Sequence, residues 1–528
     1  MPVFFRLIAT LAKCRAGNIL PLSALAIFAV AALIGGAVDI SRGWRVQTRL
    51  QSACDAGVLA GRRAVTSNGL DTTAREQAEN YFYANFDEAR QGSSDTTFTA
   101  TSADRGSTID AVATTALPPL MMQLFGFPGF ELRSTCTASM EVGNSDIMMV
   151  LDTTGSMAWT LAGSSQTRME ALRASVKNFY DTVAAAASGT NARIRYGFVP
   201  YSSTVNVGRL IYNKSPTYLV DSWTIQSRLA IRRTNGTFNR WEYRPLTFDV
   251  SRYKTFAATS TNTGENGAAV SSTWSGCVEE RATVSEDAFT WSAQNGFNPT
   301  GAHDLDIDSA PDSTNASKWA PMWPEVAYIR TTIDRWGNVY MNSAIPSSTG
   351  QQAFSACPSA ARLLGEMDRS TFVSYVDGLV AVGATYHDIG MVWGARLLSP
   401  DGIWSDNVRE KPSNGGEVAR HMIFMTDGEM SPSYSSQSAW GIEYHDRRVT
   451  DDGVTNDGSR HNSRFLALCE AVKAKGIRVW VIAFAAAMTT ELETCASTDS
   501  AFTAEKASEL EEAFQSIAKQ VGELRVVQ

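Results

Sequence analysis

From Ile19 to Val38 the chain reads ILPLSALAIFAVAALIGGAV, twenty residues without a charge. A helix of that length reaches about 30 Å, the thickness of a bilayer's hydrocarbon core. The apolar region of a cleaved secretory signal is shorter, roughly 7 to 15 residues, so the stretch reads as an uncleaved anchor. That reading puts a short head, residues 1–18, on one face of a membrane and all the rest on the other. Arg6, Lys13 and Arg15 precede the stretch, and Asp39, Arg42, Arg45 and Arg49 follow it, so the charge bias is nearly even and does not orient it. Cysteine does better. Cys14 lies before the anchor; Cys54, Cys136, Cys277, Cys357, Cys469 and Cys495 lie after it. Pairing neighbours would give Cys54–Cys136, Cys277–Cys357 and Cys469–Cys495; the alternative is six separate buried thiols. Disulfides would place the bulk of the chain in an oxidising compartment and the head in the cytoplasm. There is no CxxC, which disfavours a zinc ribbon or a thioredoxin-type site.

Residues 41–142 read as a small α+β membrane-proximal unit after an anchor at 19–40. In WRVQTRLQSACDAGVLAGRRAV, Trp44 to Val65, small residues fall on one face at helical spacing and would let another helix approach closely. A second helical stretch runs from Thr73 to Glu88, and the Thr-, Val- and Ala-rich alternation of 96–140 reads as short strands.

The pattern changes at Asp146. IMMVLD, Ile147 to Asp152, is a continuous apolar run of the kind buried on both faces of a parallel sheet. It is followed by Thr153-Thr154-Gly155-Ser156, a helix from Arg168 to Ala187 and a strand from Arg193 to Ser202. Much later come HMIFMTDGE (His421 to Glu429), a helix from Arg464 to Gly476, a strand from Arg478 to Ala485 and a last helix from Lys506 to Leu524. The alternation implies an α/β fold with a doubly wound, mainly parallel sheet, in which ligands bind at the carboxyl ends of the strands. Two strands end in aspartates, Asp152 and Asp427, and a loop carrying Thr385 opens a further helix. Carboxylates from Asp152 and Asp427 with hydroxyls from Thr154, Ser156 and Thr385 would suit a hard divalent cation such as Mg²⁺. Singly, an Asp after a strand followed by Thr or Ser is as often a turn or helix cap.

The set Asp152-x-Thr154-x-Ser156, Thr385, Asp427 resembles the metal-ion-dependent adhesion site of von Willebrand factor A domains, with Thr154 at the middle serine of DxSxS. The resemblance implies such a domain in two segments, 143–205 and 366–528. It implies Mg²⁺ (or Mn²⁺ or Ca²⁺) held at these five residues, and a protein partner that offers the ion an acidic group. RAGNILPLSALAI together with Leu50-Gln51, Ala53, Asp55-Ala56 and Leu59-Ala60-Gly61 resembles the TadG-like proteins of Flp (tight-adherence) pilus systems. Cys54 departs from that pattern. Leu22 stands where a prepilin would carry Glu, which disfavours prepilin-like processing. This second resemblance implies a single-pass protein of the bacterial inner membrane, its bulk periplasmic, working with a pilus or secretion-system component.

Residues 206–365 would interrupt the A domain. They hold seven of the 13 tryptophans and are too long for an idle loop. Such aromatics either make a recognition surface or form the core of a small, helix-poor insert. Asp304-Leu-Asp306-Ile-Asp308 fails as an EF-hand, because Ser309 and Asn315 replace the required Gly and Glu. The acidic run 451–457 reads as a solvated turn, with a second metal as the alternative; His387 reads as a packed or capping residue near Thr385, or else as one that supports a ligand from behind. The chain carries a net charge of −8 and has no phosphate loop, HExxH or GxSxG motif. Nucleic-acid binding and three common enzyme classes lose their signatures. The expectation is a non-enzymatic, membrane-anchored assembly or adhesion protein. The alternative is a periplasmic scaffold or minor pilus component whose metal site is only structural or empty.

Overall fold

The protein is described by a computed structural model over residues 19–65, 69–103, 108–139, 143–188, 190–455 and 457–521. The head at 1–18, with Cys14, lies outside the described residues, as do residues 522–524 of the last expected helix. The chain forms two compact units, one before and one after residue 142.

The first unit is built on α1, Ile19–Ala64. A span ending near residue 40 and a separate helix from 44 were expected; instead one helix of 46 residues runs through both. No proline interrupts it after Pro21, and a single interior glycine such as Gly43 costs only about 1 kcal/mol. Among the described residues α1 is the one helix long and apolar enough to cross a membrane. Its first half exposes Leu25, Ile27, Leu33 and Ile34, whereas Val46, Leu50, Ala53 and Val58 in its second half are buried. There α1 packs on α2, Thr72–Asn85, and on an antiparallel sheet of β1 (Ser94–Thr101), β2 (Thr108–Leu117) and β3 (Phe130–Ser139) in the order β1-β2-β3. The small-residue face serves this contact: a Cβ on Gly61 would stand 2.8 Å from that of Ala78. Cys54 on α1 is bonded to Cys136 on β3.

The second unit begins with β4, Asn144–Asp152, buried along its whole length. Then come α3 (Arg168–Ala187) and β5 (Ile194–Tyr201). A long hairpin, β6 (Ser222–Arg232) with β7 (Phe238–Asp249), opens the insert. After it follow β8 (Arg362–Gly365), α4 (Arg369–Asp377), α5 (His387–Leu398), β9 (Val418–Thr426), α6 (Asp457–Ala474), β10 (Arg478–Phe484), β11 (Ala501–Ala504) and α7 (Ala507–Val521). The main sheet has the order β8-β5-β4-β9-β10-β11. Its pairs are parallel except β8 with β5. Alternate strand residues feed opposite faces. Ile147, Met149 and Leu151 pack with α3, α4 and α7, while Met148 and Val150 pack with α5 and α6.

The insert is not set apart from this core. Trp274, Trp319 and Trp323 are buried in the same apolar cluster as α5, β4 and β9. Trp223, Trp241 and Trp291 are half-buried, and only Trp336 of the seven is largely exposed. The boundary expected at 365 falls after an edge strand of the main sheet, for Arg362 pairs with Phe198 and Gly365 with Tyr196. A buried ionic centre joins the two regions. Glu280 of the insert accepts from Arg396 and Trp393 of α5, and Asp304 of the insert pairs with Arg464 of α6. Cys277–Cys357 and Cys469–Cys495 are also bonded, so all three neighbour pairings form.

Candidate functional site

Parallel pairing sets the carboxyl ends of β4 and β9 side by side, with Leu151 opposite Met425. The next residues on these strands are Asp152 and Thr426, and Asp427 follows. After Asp152 the chain turns away: the Thr154 N–H donates to Asp152 Oδ1 at 2.9 Å, and a short 3-10 turn covers Gly155–Ala158. The Ser156 hydroxyl donates to Asp427 Oδ1 at 2.7 Å. The Thr154 hydroxyl lies 2.9 Å from that of Ser156 and 3.5 Å from the same Asp427 oxygen. Four of the five expected residues therefore converge, although Asp152 and Asp427 are far apart in the chain.

Two residues that sequence reasoning passed over complete the cluster. The Thr426 hydroxyl donates to Asp152 Oδ2 at 2.8 Å and faces His387 Nε2 at 3.0 Å. Arg168, the first residue of α3 after the Thr167 cap, donates from Nη1 to Asp427 Oδ2 at 2.9 Å and to its carbonyl at 3.0 Å. Thr426 was within reach of the sequence as the residue before Asp427; nothing in the sequence marks Arg168.

Thr385 stands differently. Its backbone pairs with Ser431, and two residues earlier the Gly383 carbonyl accepts from Gly155 N–H at 2.9 Å, so its loop borders the cluster. Its hydroxyl makes none of the hydrogen bonds among the other four. His387, expected as packed or capping, is buried, and burial pushes its pKa down to about 4.

Burial sets the electrostatics. Asp152 is fully enclosed, and that enclosure, with the neighbouring Asp427 charge, pushes its carboxyl up to about 7. Burial also raises Asp427, against hydrogen bonds from Ser156 and Arg168. The Tyr201 phenol next to Asp152 is raised well above its usual value by burial and then by that carboxylate. Among the described residues no three His, Cys, Asp or Glu side chains gather into a metal cluster. This site has two carboxylates, and its other oxygens are hydroxyls. An all-oxygen set with two crowded carboxylates is the donor chemistry a hard dication takes. On that test Asp152, Thr154, Ser156 and Asp427 fit such an ion, with Asp427 Oδ2 already engaged by Arg168.

The family model described as putative Flp pilus-assembly TadE/G-like matches residues 17–75. No curated protein matches the chain. Among solved structures, the open conformation of the pilus adhesin SpaC from Lactobacillus rhamnosus GG is similar at 12% identity and a TM-score of 0.33, covering 81% of this chain and 33% of that one. The pilus adhesin RrgA from Streptococcus pneumoniae is similar at 7% identity and a TM-score of 0.30, covering 80% and 49%. A zinc-bearing form of proximal thread matrix protein 1 from the mussel byssus, with an occupied MIDAS motif, follows at 11% identity and a TM-score of 0.18, covering 72% and 96%. The chain thus spans between a third and a half of the length of the pilus adhesins it matches.

Proposed function

We propose that this chain is a membrane-anchored, non-enzymatic protein of pilus assembly or adhesion. In this reading its second unit is a von Willebrand factor A-type domain that captures a protein partner through a divalent cation. The observation that carries the reading is the convergence of Asp152, Thr154, Ser156 and Asp427 above two adjacent parallel strand ends. These residues would hold Mg²⁺ (or Mn²⁺ or Ca²⁺), with Thr385 bordering the site. The bound ion would supply an electrophile able to accept an acidic side chain from the partner. The chain's own part is to hold the loop: Thr426 fixes Asp152, Arg168 fixes Asp427, and Gly383 ties the Thr385 loop to Gly155. The TadE/G-like match over the anchor supports a pilus role, and the partner would be a pilus or secretion-system component. Three disulfides support an oxidising, periplasmic location for the bulk of the chain, with the head in the cytoplasm of a bacterium and α1 in its inner membrane.

A second reading is favoured by one specific contact. Arg168 already neutralises Asp427, so the cluster is closed by its own hydrogen bonds and could serve as a structural clasp in a scaffold or minor pilus component. Calorimetric titration of the full chain with MgCl₂ and MnCl₂ separates the two. The adhesion reading expects saturable binding that Asp152→Ala abolishes while the fold persists. No heat of binding in the parent chain, together with a lower melting temperature in the variant, would establish the clasp instead.

A further inference from the structure

Between β2 and β3 the chain reads PPLMMQLFGFPG, Pro118 to Gly129, with no charge and only Gln123 polar. Leu120, Met121 and Leu124 are exposed, Leu124 at 83%. The connection does not stand free of α1 but runs back along its apolar half. Arg42 Nη1 holds the Pro118 carbonyl at 2.8 Å. Three residues further into α1, Asp39 accepts from the N–H groups of Leu120, Met121 and Met122 at 2.9, 3.0 and 2.7 Å. A Cβ on Gly35 would meet that of Met121 at 2.9 Å, so the loop lies directly on the helix there. Phe125 ends against Phe28, ring centres 4.9 Å apart. From Asp39 to Phe28 is eleven residues, about 16 Å of helix, which is about half the hydrocarbon thickness of a bilayer.

We propose that residues 118–129 are a second membrane-embedded element, an apolar loop sunk into the leaflet next to α1 with its tip near the bilayer midplane. The proposal rests on the reading of α1 as a membrane anchor. Non-helical backbone is expensive in lipid because each unpaired N–H or C=O costs several kcal/mol. This loop meets much of that demand on its donor side. Pro118, Pro119 and Pro128 have no N–H, and Asp39 takes three donors. Leu124, Gly126 and Phe127 donate to carbonyls within the turn Met122–Phe125 and its flank. Asp39 and Arg42 mark the water boundary, and the exposed Trp44 stands at the level where indoles favour a membrane interface. The occupant is lipid: the exposed loop residues are level with the exposed apolar residues of α1, and both present the same chemistry.

The test uses the full chain with Cys14→Ser, which removes the one cysteine outside the three disulfides. An environment-sensitive fluorophore is placed at Leu124→Cys, Phe127→Cys, Leu33→Cys or Tyr83→Cys, and each protein is reconstituted into phosphatidylcholine vesicles. The expected result is loss of fluorescence at 124 and 127 with deep doxyl-labelled lipid, comparable to that at 33, and little loss with aqueous iodide. Position 83 should show the reverse. Quenching by lipid at 33 but by iodide at 124 and 127 overturns the loop proposal and leaves the anchor standing. No lipid quenching at 33 removes the anchor and the proposal together. Quenching by neither probe at 124 and 127 means protein covers the loop, and also overturns it.

Discussion

Glu280 offers the sharpest test of whether the insert is an integral part of the second unit. It is fully buried, and its carboxylate accepts from Trp393 Nε1 at 2.6 Å, Arg396 Nη1 at 2.8 Å and Trp319 Nε1 at 3.0 Å. Glu280→Ala leaves a buried guanidinium unpaired, a change that typically costs about 3–5 kcal/mol. Each orphaned indole N–H would add about 1–3 kcal/mol if counted alone. The losses overlap, because one carboxylate serves all three donors and Arg396 keeps the carbonyls of Asp304 and Asp306. The net expectation is about 4 kcal/mol. Urea unfolding of the detergent-solubilised full chain, with disulfides intact and read by tryptophan fluorescence, reports it, since every tryptophan but Trp44 lies in the second unit. With a slope of about 3 kcal/mol/M the midpoint falls by a little over about 1 M with the slope unchanged. Glu280→Gln, which keeps volume and one acceptor oxygen, should lose about half as much, and Glu265→Gln on the surface should stay within about 0.5 kcal/mol of the parent. A variant that unfolds in two steps, with most amplitude at the parent midpoint, would show that the insert folds on its own and refute the shared core.

Three further outcomes follow from the structure. His461 bridges Asp388 at 2.7 Å and Asp457 at 3.1 Å; burial acts to lower its pKa, but those two carboxylates outweigh burial and hold it at about 10. A folded value above the free value of about 6.5 means its stabilisation is complete below that pH and is lost as pH rises through about 10. The parent should therefore lose unfolding free energy between neutral pH and pH 10 that His461→Gln does not lose; equal slopes would contradict this. Replacing Cys277 and Cys357 together by serine opens a loop of 80 residues and should cost about 4 kcal/mol, measured as the drop in unfolding free energy against the oxidised parent. Arg168→Met frees Asp427 of its cation and should tighten Mg²⁺ binding in the calorimeter, whereas unaltered affinity would mean the guanidinium does not compete for that carboxylate.

The main strands and helices were legible because burial imposes a period. IMMVLD has no polar break, as a strand covered on both faces requires, and Arg168–Ala187 carries a capping box from Thr167 and Glu170 at its start. Asp152, Thr154 and Ser156 were visible as a local spacing, and Asp427 as the residue ending a second apolar run. The unity of the insert with the sheet was not legible. Glu280, Asp304, Arg396 and Arg464 are separated by up to 184 positions and look like surface charges until packing brings them together. The continuity of α1 was hidden for a similar reason. Its charged stretch after Asp39 reads as an exit from the membrane, and what keeps it helical is the distant sheet buried against Val46, Leu50 and Val58.

The balance of charge at the strand ends explains why the two readings of the site differ in one measurable quantity. Burial and the Asp427 charge raise Asp152 against hydrogen bonds from Thr154 and Thr426, while burial raises Asp427 against hydrogen bonds from Ser156 and Arg168 and the Arg168 charge. Without a metal, the Asp152 carboxyl holds a proton more readily than an ordinary aspartate, and the hydroxyls of Thr154, Ser156 and Thr426 are spent on bonds within the cluster. A dication would displace that proton and redirect the hydroxyl lone pairs, so binding should release protons near neutral pH. A clasp has no reason to exchange protons with magnesium. Mg²⁺ titrations in buffers of different ionisation enthalpy therefore distinguish capture from clasp through the buffer dependence of the heat, without knowledge of the partner.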